Sequence, residues 1–198
     1  GVDGCGKTTL AKALAEQIKN DTNKDVVICR ALEQPIRQLI LSSNFSPETE
    51  FLLQMGGLNN QLETVVKPAI DSNKVVIIDR WYYSALVYQV LANGLDYNKY
   101  LKIVKSIFST YEPFTVWMQI SAMRAFARAN KSPDDMIDKF HEQLSLIRVG
   151  KLTQYYEKVS YDCPKIGMIK VTDNMGEERS PESMAKSVAE RAYKEFNV

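Results

Sequence analysis

Gly1-Val2-Asp3-Gly4-Cys5-Gly6-Lys7-Thr8 matches G-x-x-x-x-G-K-[ST] at all four fixed positions. Leu10, Leu14 and Ile18 follow at i, i+4 and i+8, the stripe of an amphipathic helix that opens at the loop. Glycines here let backbone N–H groups curl around phosphate oxygens with no Cβ in the way. Lys7 supplies a positive charge for the β- and γ-phosphates, and the Thr8 hydroxyl is placed to ligate Mg²⁺. The helix turns the positive end of its dipole to the same anion. Gly1, Gly4, Cys5, Gly6, Lys7, Thr8 and Thr9 are therefore the expected ATP-binding residues. The bland alternative, a glycine-rich turn that caps a helix, is outweighed by the four matched positions and the helix directly behind them. Loops of this kind normally follow a buried strand, so a first strand is expected ahead of Gly1. The loop does not name the acceptor.

Outward from the loop, short apolar runs alternate with helical patterns. Val26–Cys29, Val75–Ile78, Thr115–Ile120 and Ile166–Val171 read as strands, apolar enough to be covered on both faces of a parallel sheet. Glu48–Ile70, Tyr82–Leu91, Tyr97–Phe108, Asp134–Val159 and Pro181–Phe196 read as helices. The alternation predicts an α/β fold, a three-layer P-loop domain spanning residues 1–198 with a parallel sheet of about five strands. With 25 Lys and Arg against 24 Asp and Glu, there is no global basic field of the kind nucleic-acid binders carry. An anion must be held by a local site, and no nucleic-acid partner is expected. Cys5, Cys29 and Cys163 fit no zinc or disulfide framework and read as free thiols of a reducing, cytoplasmic compartment. No apolar run reaches the roughly 18–20 residues a membrane span needs.

A second segment, Asp79-Arg80-Trp81-Tyr82-Tyr83-Ser84-Ala85-Leu86-Val87-Tyr88-Gln89, speaks to the acceptor. Asp79 closes an apolar strand, and open α/β sheets bind ligands at the carboxyl ends of their strands. A helix beginning near Arg80 would set Arg80, Ser84 and Tyr88 on one face. An Asp-Arg pair at a strand end can equally be a local salt bridge; beside a phosphate loop the functional reading gains.

These residues resemble the thymidylate kinase family across nearly the whole chain. The loop is similar to that family's G-x-D-G-x-G-K-T-T. Asp79-Arg80, Ser84 and Tyr88-Gln89 resemble its D-R-[YWFH]-x-x-S-x-x-x-Y-Q, and Glu63-Thr64-Val65-Val66-Lys67-Pro68-Ala69 resembles the helix leading into that strand. The resemblance implies ATP-dependent phosphorylation of a deoxynucleoside monophosphate, dTMP to dTDP for dTTP synthesis, with Mg²⁺ and a homodimeric enzyme. It implies that Asp3 meets the sugar 3′-hydroxyl, that Tyr88 packs on the deoxyribose and crowds out a 2′-hydroxyl, and that Arg37 contacts the acceptor phosphate. A solvated helix charge is the alternative for Arg37. Arg80 would bridge acceptor and donor phosphates through its planar fork, and Asp79 would orient metal-bound water and Arg80. The expected substrate-binding set is thus Asp3, Arg37, Gln54, Leu58, Arg80, Ser84, Tyr88 and Gln89, and the expected catalytic set is Lys7, Asp79, Arg80 and Arg128.

Two places depart from the family pattern. Where the family has a base-stacking Phe this chain has Gln54, and where it has an arginine at the thymine edge this chain has Leu58. Gln54, Asn59, Asn60 and Gln61 could replace those contacts or be ordinary exposed helix residues. The lid, residues 124–138, offers Arg124, Arg128 and Lys131, followed by Lys139, and Asp138-Lys139-Phe140-His141 resembles the family's D-R-F-E. Arg128 falls where a family arginine falls; Arg124 reads equally well as a solvated charge. His141, the single histidine, has no triad or metal arrangement around it. A kinase for dUMP or a 5-substituted dUMP, or a nucleotide-binding protein with weakened transfer, are the alternatives.

Overall fold

The computed structural model describes residues 1–32, 34–111, 113–130, 145–163 and 166–196. Helix α1 (Lys7–Thr22) leaves the loop through Gly6, whose φ of 90° is left-handed, and stops at Asn23, also left-handed, whose N–H returns to the Lys19 carbonyl. Strand β1 (Val26–Arg30) and helix α2 (Gln34–Ser42) follow. Helix α3 (Pro47–Gln61) is set by its own first turn. The Ser46 hydroxyl accepts from the Thr49 N–H, Pro47 occupies the first helical position, and Glu48 and Glu50 face the positive dipole end. The helical path continues through a π-helical stretch, Leu62–Val66, into α4 (Lys67–Asp71), so the expected helix over 48–70 is one run with a widened turn inside it.

Strand β2 (Val75–Asp79) leads to α5 (Tyr82–Ala85), a second π-helical stretch over Leu86–Val90 and a 3₁₀ turn over Leu91–Asn93. Helix α6 (Tyr97–Phe108) is capped by the Asp96 carboxylate, which accepts from the Asn98 and Lys99 N–H groups. Strand β3 (Thr115–Gln119), helices α7 (Ala122–Ala129) and α8 (Leu146–Asp162), strand β4 (Ile166–Lys170) and helix α9 (Pro181–Phe196) complete the described chain. The helix expected over 134–159 is seen from Leu146; its earlier residues, with Lys131, Ser132–Asp135 and Asp138–His141, lie outside the described residues.

All strand pairing is parallel among the described residues. β1 pairs with β2 from Val26↔Val75 to Arg30↔Asp79, and β3 pairs with β4 from Thr115↔Ile166 to Gln119↔Lys170. Each strand lies within a residue of its expected bounds. Burial differs from expectation: every residue of β2 is half-buried, because a cleft of about 590 Å³ runs between β2 and β3. It is lined by successive residues of both strands and by the Leu10–Leu14–Ile18 stripe of α1, and it reaches Lys7, Asp79, Arg80 and Ser84.

The core lies mainly where α3, the second π-helical stretch and α6 meet, around Phe51, Leu86, Val87, Val90 and Val104, all fully buried. An aromatic group anchors the chain just past β2. Trp81 and Tyr82 pack on Phe108 at ring separations of 5.0 and 5.5 Å, the second pair stacked at 15°. Burying a large side chain is worth about 1.5–3 kcal/mol, so these rings hold the backbone next to Arg80 firmly in place.

Candidate active site

The loop closes by packing against α7. Gly4 has φ of 79°, and a Cβ there would run into the Ala125 carbonyl oxygen and come within 3.0 Å of the Ala129 nitrogen. Small residues on α7 and glycine in the loop are one requirement: backbone meets backbone with no room for a side chain. Cys5 is wholly buried beneath the loop, while Thr8 and Thr9 are exposed at the start of α1. The Lys7 ammonium donates to the Val2 carbonyl at 2.9 Å and lies 3.7 Å from an Asp3 carboxylate oxygen.

Asp3 is the centre of a half-buried polar cluster. Its Oδ1 accepts a charge-assisted hydrogen bond from Arg80 Nη2, and its Oδ2 accepts from the Tyr88 hydroxyl at 3.0 Å. The Arg80 guanidinium also lies 5.6 Å from the centre of the Tyr88 ring, within cation–π range. Burial alone would push the Asp3 carboxyl up, but Arg80 and then Lys7 outweigh it and hold the group well below the usual carboxylate range. Burial likewise opposes charge on Arg80, and Asp3 in front of it keeps the guanidinium ionised. Burial and the Asp3 charge keep the Tyr88 phenol protonated, hence a donor.

Arg80 reaches Asp3 by a route different from the one expected. The helix starts at Tyr82, and Arg80 precedes it with φ of 80°, a left-handed backbone at a residue with a long side chain. Such a conformation costs on the order of 1–3 kcal/mol and persists where neighbours over-determine it; the Trp81–Tyr82–Phe108 packing does so here. The π-helical turn over Leu86–Val90 then shifts Tyr88 out of simple i+4 register, so Arg80, Ser84 and Tyr88 do not form one α-helical row. Asn93 closes that turn by donating to the Tyr88 and Gln89 carbonyls at 2.9 and 3.0 Å. Ser84 points at Tyr156, with 3.0 Å between the hydroxyls.

On the other side of the loop the Thr8 hydroxyl donates to Asp79 Oδ2 at 2.7 Å. Asp79 Oδ1 is buried with no hydrogen-bond partner among the described residues. A hydroxyl and a carboxylate at the mouth of a phosphate loop suit Mg²⁺, which takes one or two protein oxygens and completes its shell with phosphates and water. The unpartnered Oδ1 fits that use. Among the described residues no group of three or more His, Cys, Asp or Glu could hold a metal by itself.

Arg128, on α7, lies with Nη1 3.5 Å from the Gly4 carbonyl oxygen. Its Nη2 pairs with Glu178 at 2.5 Å, and Arg124 reaches the same carboxylate at 3.9 Å. Glu178 was not legible as a site residue; it is brought in by the bridge between Thr172 and Glu178 just past β4. Arg37 and Gln54 are half-buried on α2 and α3. Leu58 and Gln89, at 2% and 3% exposed, belong to the interior rather than to the loop.

A phosphate-binding loop opening a helix, parallel strands, and an Asp-Arg pair at the carboxyl end of β2 define a P-loop nucleotide-binding protein. Within that class the chain belongs to the thymidylate kinase family, whose family model matches residues 1–178. It is 30% identical over 177 residues to a thymidylate kinase of Thermoanaerobacter sp. (strain X514), an alignment covering 83% of each chain. It is 31% identical over 157 residues to that of Caldanaerobacter subterraneus subsp. tengcongensis, covering 73% of this chain and 74% of the relative. With that of Acinetobacter baumannii (strain AYE) it shares 30% over 166 residues, covering 79% and 81%.

Proposed function

We propose that this protein phosphorylates dTMP to dTDP with ATP, and that the carrying observation is the joining of both substrate sides at Asp3. Through Arg80 and Tyr88 that residue connects to the acceptor segment, and through Lys7 to the phosphate loop. The attacking group is a phosphate oxygen, already ionised near neutral pH, so no general base is needed. Catalysis is alignment of two repelling phosphates and dispersal of charge during transfer.

In this reading Gly1, Gly4, Cys5, Gly6, Lys7, Thr8 and Thr9 cradle the ATP phosphates. Arg80 bridges the donor and acceptor phosphates from its fixed place beside Asp3. Asp3 also takes the sugar 3′-hydroxyl; two of its lone-pair sites are used by Arg80 and Tyr88, and a carboxylate has about four. Tyr88 lies against the sugar, Ser84 and Arg37 face the acceptor phosphate, and Arg128 adds charge at the loop. Thr8 and Asp79 would hold Mg²⁺, which would supply positive charge to offset that of the phosphates. Gln54 stands at the base, and Gln89 supports the acceptor segment from the interior. The apolar side chain of Leu58 leaves the base edge without its arginine.

The finer fold is part of the same proposal: one domain over residues 1–198, with a lid over 124–138 and helices on both faces of a five-stranded parallel sheet. What supports the fifth strand is the motif, whose loop follows a strand. A cytoplasmic homodimer is the assembly that family membership suggests. In an ADP-release assay with a panel of nucleoside monophosphates, dTMP should be turned over. Because Leu58 and Gln54 replace a charged contact worth about 1.5–3 kcal/mol and a stacking ring, its preference over dUMP should stay below about 10³-fold. No release with dTMP refutes the reading; a larger preference refutes the altered base site.

A further inference from the structure

Tyr156 reads from the sequence as a residue that packs a helix on the sheet. In the structure it is 5% exposed on α8, yet its hydroxyl is not idle: it lies 3.0 Å from Ser84 Oγ. Its ring meets the Tyr88 ring edge-on, centroids 6.3 Å apart at 75°. Tyr156 and Ser84 both line the cleft, as do Lys7, Asp79 and Arg80. Burial pushes the Tyr156 phenol up to about 12, so the hydroxyl remains protonated through the neutral range. A phenylalanine would fill the same space, so packing does not explain the hydroxyl.

We infer that Tyr156 is a positioning residue of the acceptor site, orienting the Ser84 hydroxyl through its own and bracing the Tyr88 ring through its face. The inference deepens the function proposed above and rests on it. Either hydroxyl can donate in the Ser84–Tyr156 pair. When Tyr156 donates, the Ser84 hydrogen is left to point along the cleft, where an anionic acceptor phosphate accepts it. When Tyr156 is missing its hydroxyl, Ser84 turns freely and spends its hydrogen elsewhere. The ring contact acts on a separate feature: Tyr88 is tied to Asp3 by its hydroxyl and braced by the Tyr156 ring, so its distance from the sugar is set by both. Because α8 carries Tyr156 while Ser84 and Tyr88 lie on the segment after β2, the pair fastens two distant parts of the chain at the acceptor.

The test uses the full chain in steady-state assays with ATP and dTMP, on wild type, Tyr156→Phe, Ser84→Ala, the double variant and Tyr156→Leu. Tyr156→Phe should raise KM for dTMP by about three- to tenfold, the range expected for one hydrogen bond. KM for ATP should stay within about twofold and the melting temperature should hold. Ser84→Ala should do the same, and the double variant should be no worse than either, because both remove one shared interaction. Tyr156→Leu should also lower the preference for dTMP over its ribonucleotide counterpart by about tenfold. An unchanged KM for dTMP in Tyr156→Phe overturns the inference. So do additive effects in the double variant, or losses that raise both KM values together with a lower melting temperature. A wild type that does not turn over dTMP refutes the proposed function itself, and the inference falls with it.

Discussion

Asp3→Asn isolates the charge at the centre of the site while keeping the side-chain shape. The carboxylate takes Arg80 on one oxygen and the Tyr88 hydroxyl on the other. An amide keeps an acceptor oxygen for Arg80 and turns its NH₂ group toward the Tyr88 hydroxyl, which can accept in turn, so what is lost is mainly the charge. Asp3 and Arg80 are 26% and 28% exposed, which places the pair between two limits. A surface pair is worth about 0–1 kcal/mol, and removing one partner of a buried pair costs about 3–5 kcal/mol. The expected loss is therefore about 2 kcal/mol at pH 7, or about 1 M in urea midpoint for a slope near 2 kcal/mol/M. The pH dependence has a definite sign. The folded-state carboxyl is held low by Arg80 and Lys7, while the unfolded one titrates near 3.9. Its stabilisation is full above the unfolded value and is lost as pH falls toward the folded one. At pH 3 the gap between wild type and Asp3→Asn should therefore narrow by about 1 kcal/mol. Urea unfolding at both pH values reads this directly. A gap below about 0.5 kcal/mol at pH 7, in the range of exposed pairs, would refute the cluster as described, and so would an equal gap at both pH values.

Tyr88→Ala should raise the use of ribonucleotide relative to deoxynucleotide acceptors, read as a ratio of kcat/KM values; an unchanged ratio would make the ring a packing element alone. Gly4→Ala should lose at least about 1–3 kcal/mol of stability from backbone strain and overpacking. The reason is that its Cβ meets the α7 backbone at a left-handed φ, and a melting temperature equal to wild type would show that α7 does not press on the loop.

Much of this arrangement was legible in the residues themselves. The loop, the helix behind it and four short, largely apolar runs carry local signals, and each strand is found within one residue of its expected bounds. Local patterns do not encode where a helix widens. The π-helical turns over Leu62–Val66 and Leu86–Val90 arise in segments whose residues are ordinary helix or core formers. Nor does an Asp-Arg pair announce that the arginine will be left-handed; that follows from Trp81 and Tyr82 being drawn onto Phe108. Tyr156 lies 72 residues along the chain from Ser84, and Glu178 is similarly remote from Arg128, so no motif ties either to the site. Leu58 shows the converse: an unmatched residue at a family site position turns out to be fully packed in the core, where an arginine would have had to displace it.

In the proposed reaction Arg80, fixed by Asp3 at the join of donor and acceptor, stabilises the transferring phosphoryl group. Arg80→Ala tests it most directly, by single-turnover transfer from ATP to dTMP alongside calorimetric binding of ATP. Transfer should fall by roughly 10³-fold, as loss of a transition-state arginine does, while ATP affinity changes by no more than about threefold, since Lys7 and the loop amides remain. Transfer within about tenfold of wild type, far short of the 10³-fold loss a transition-state arginine commands, would contradict the claim.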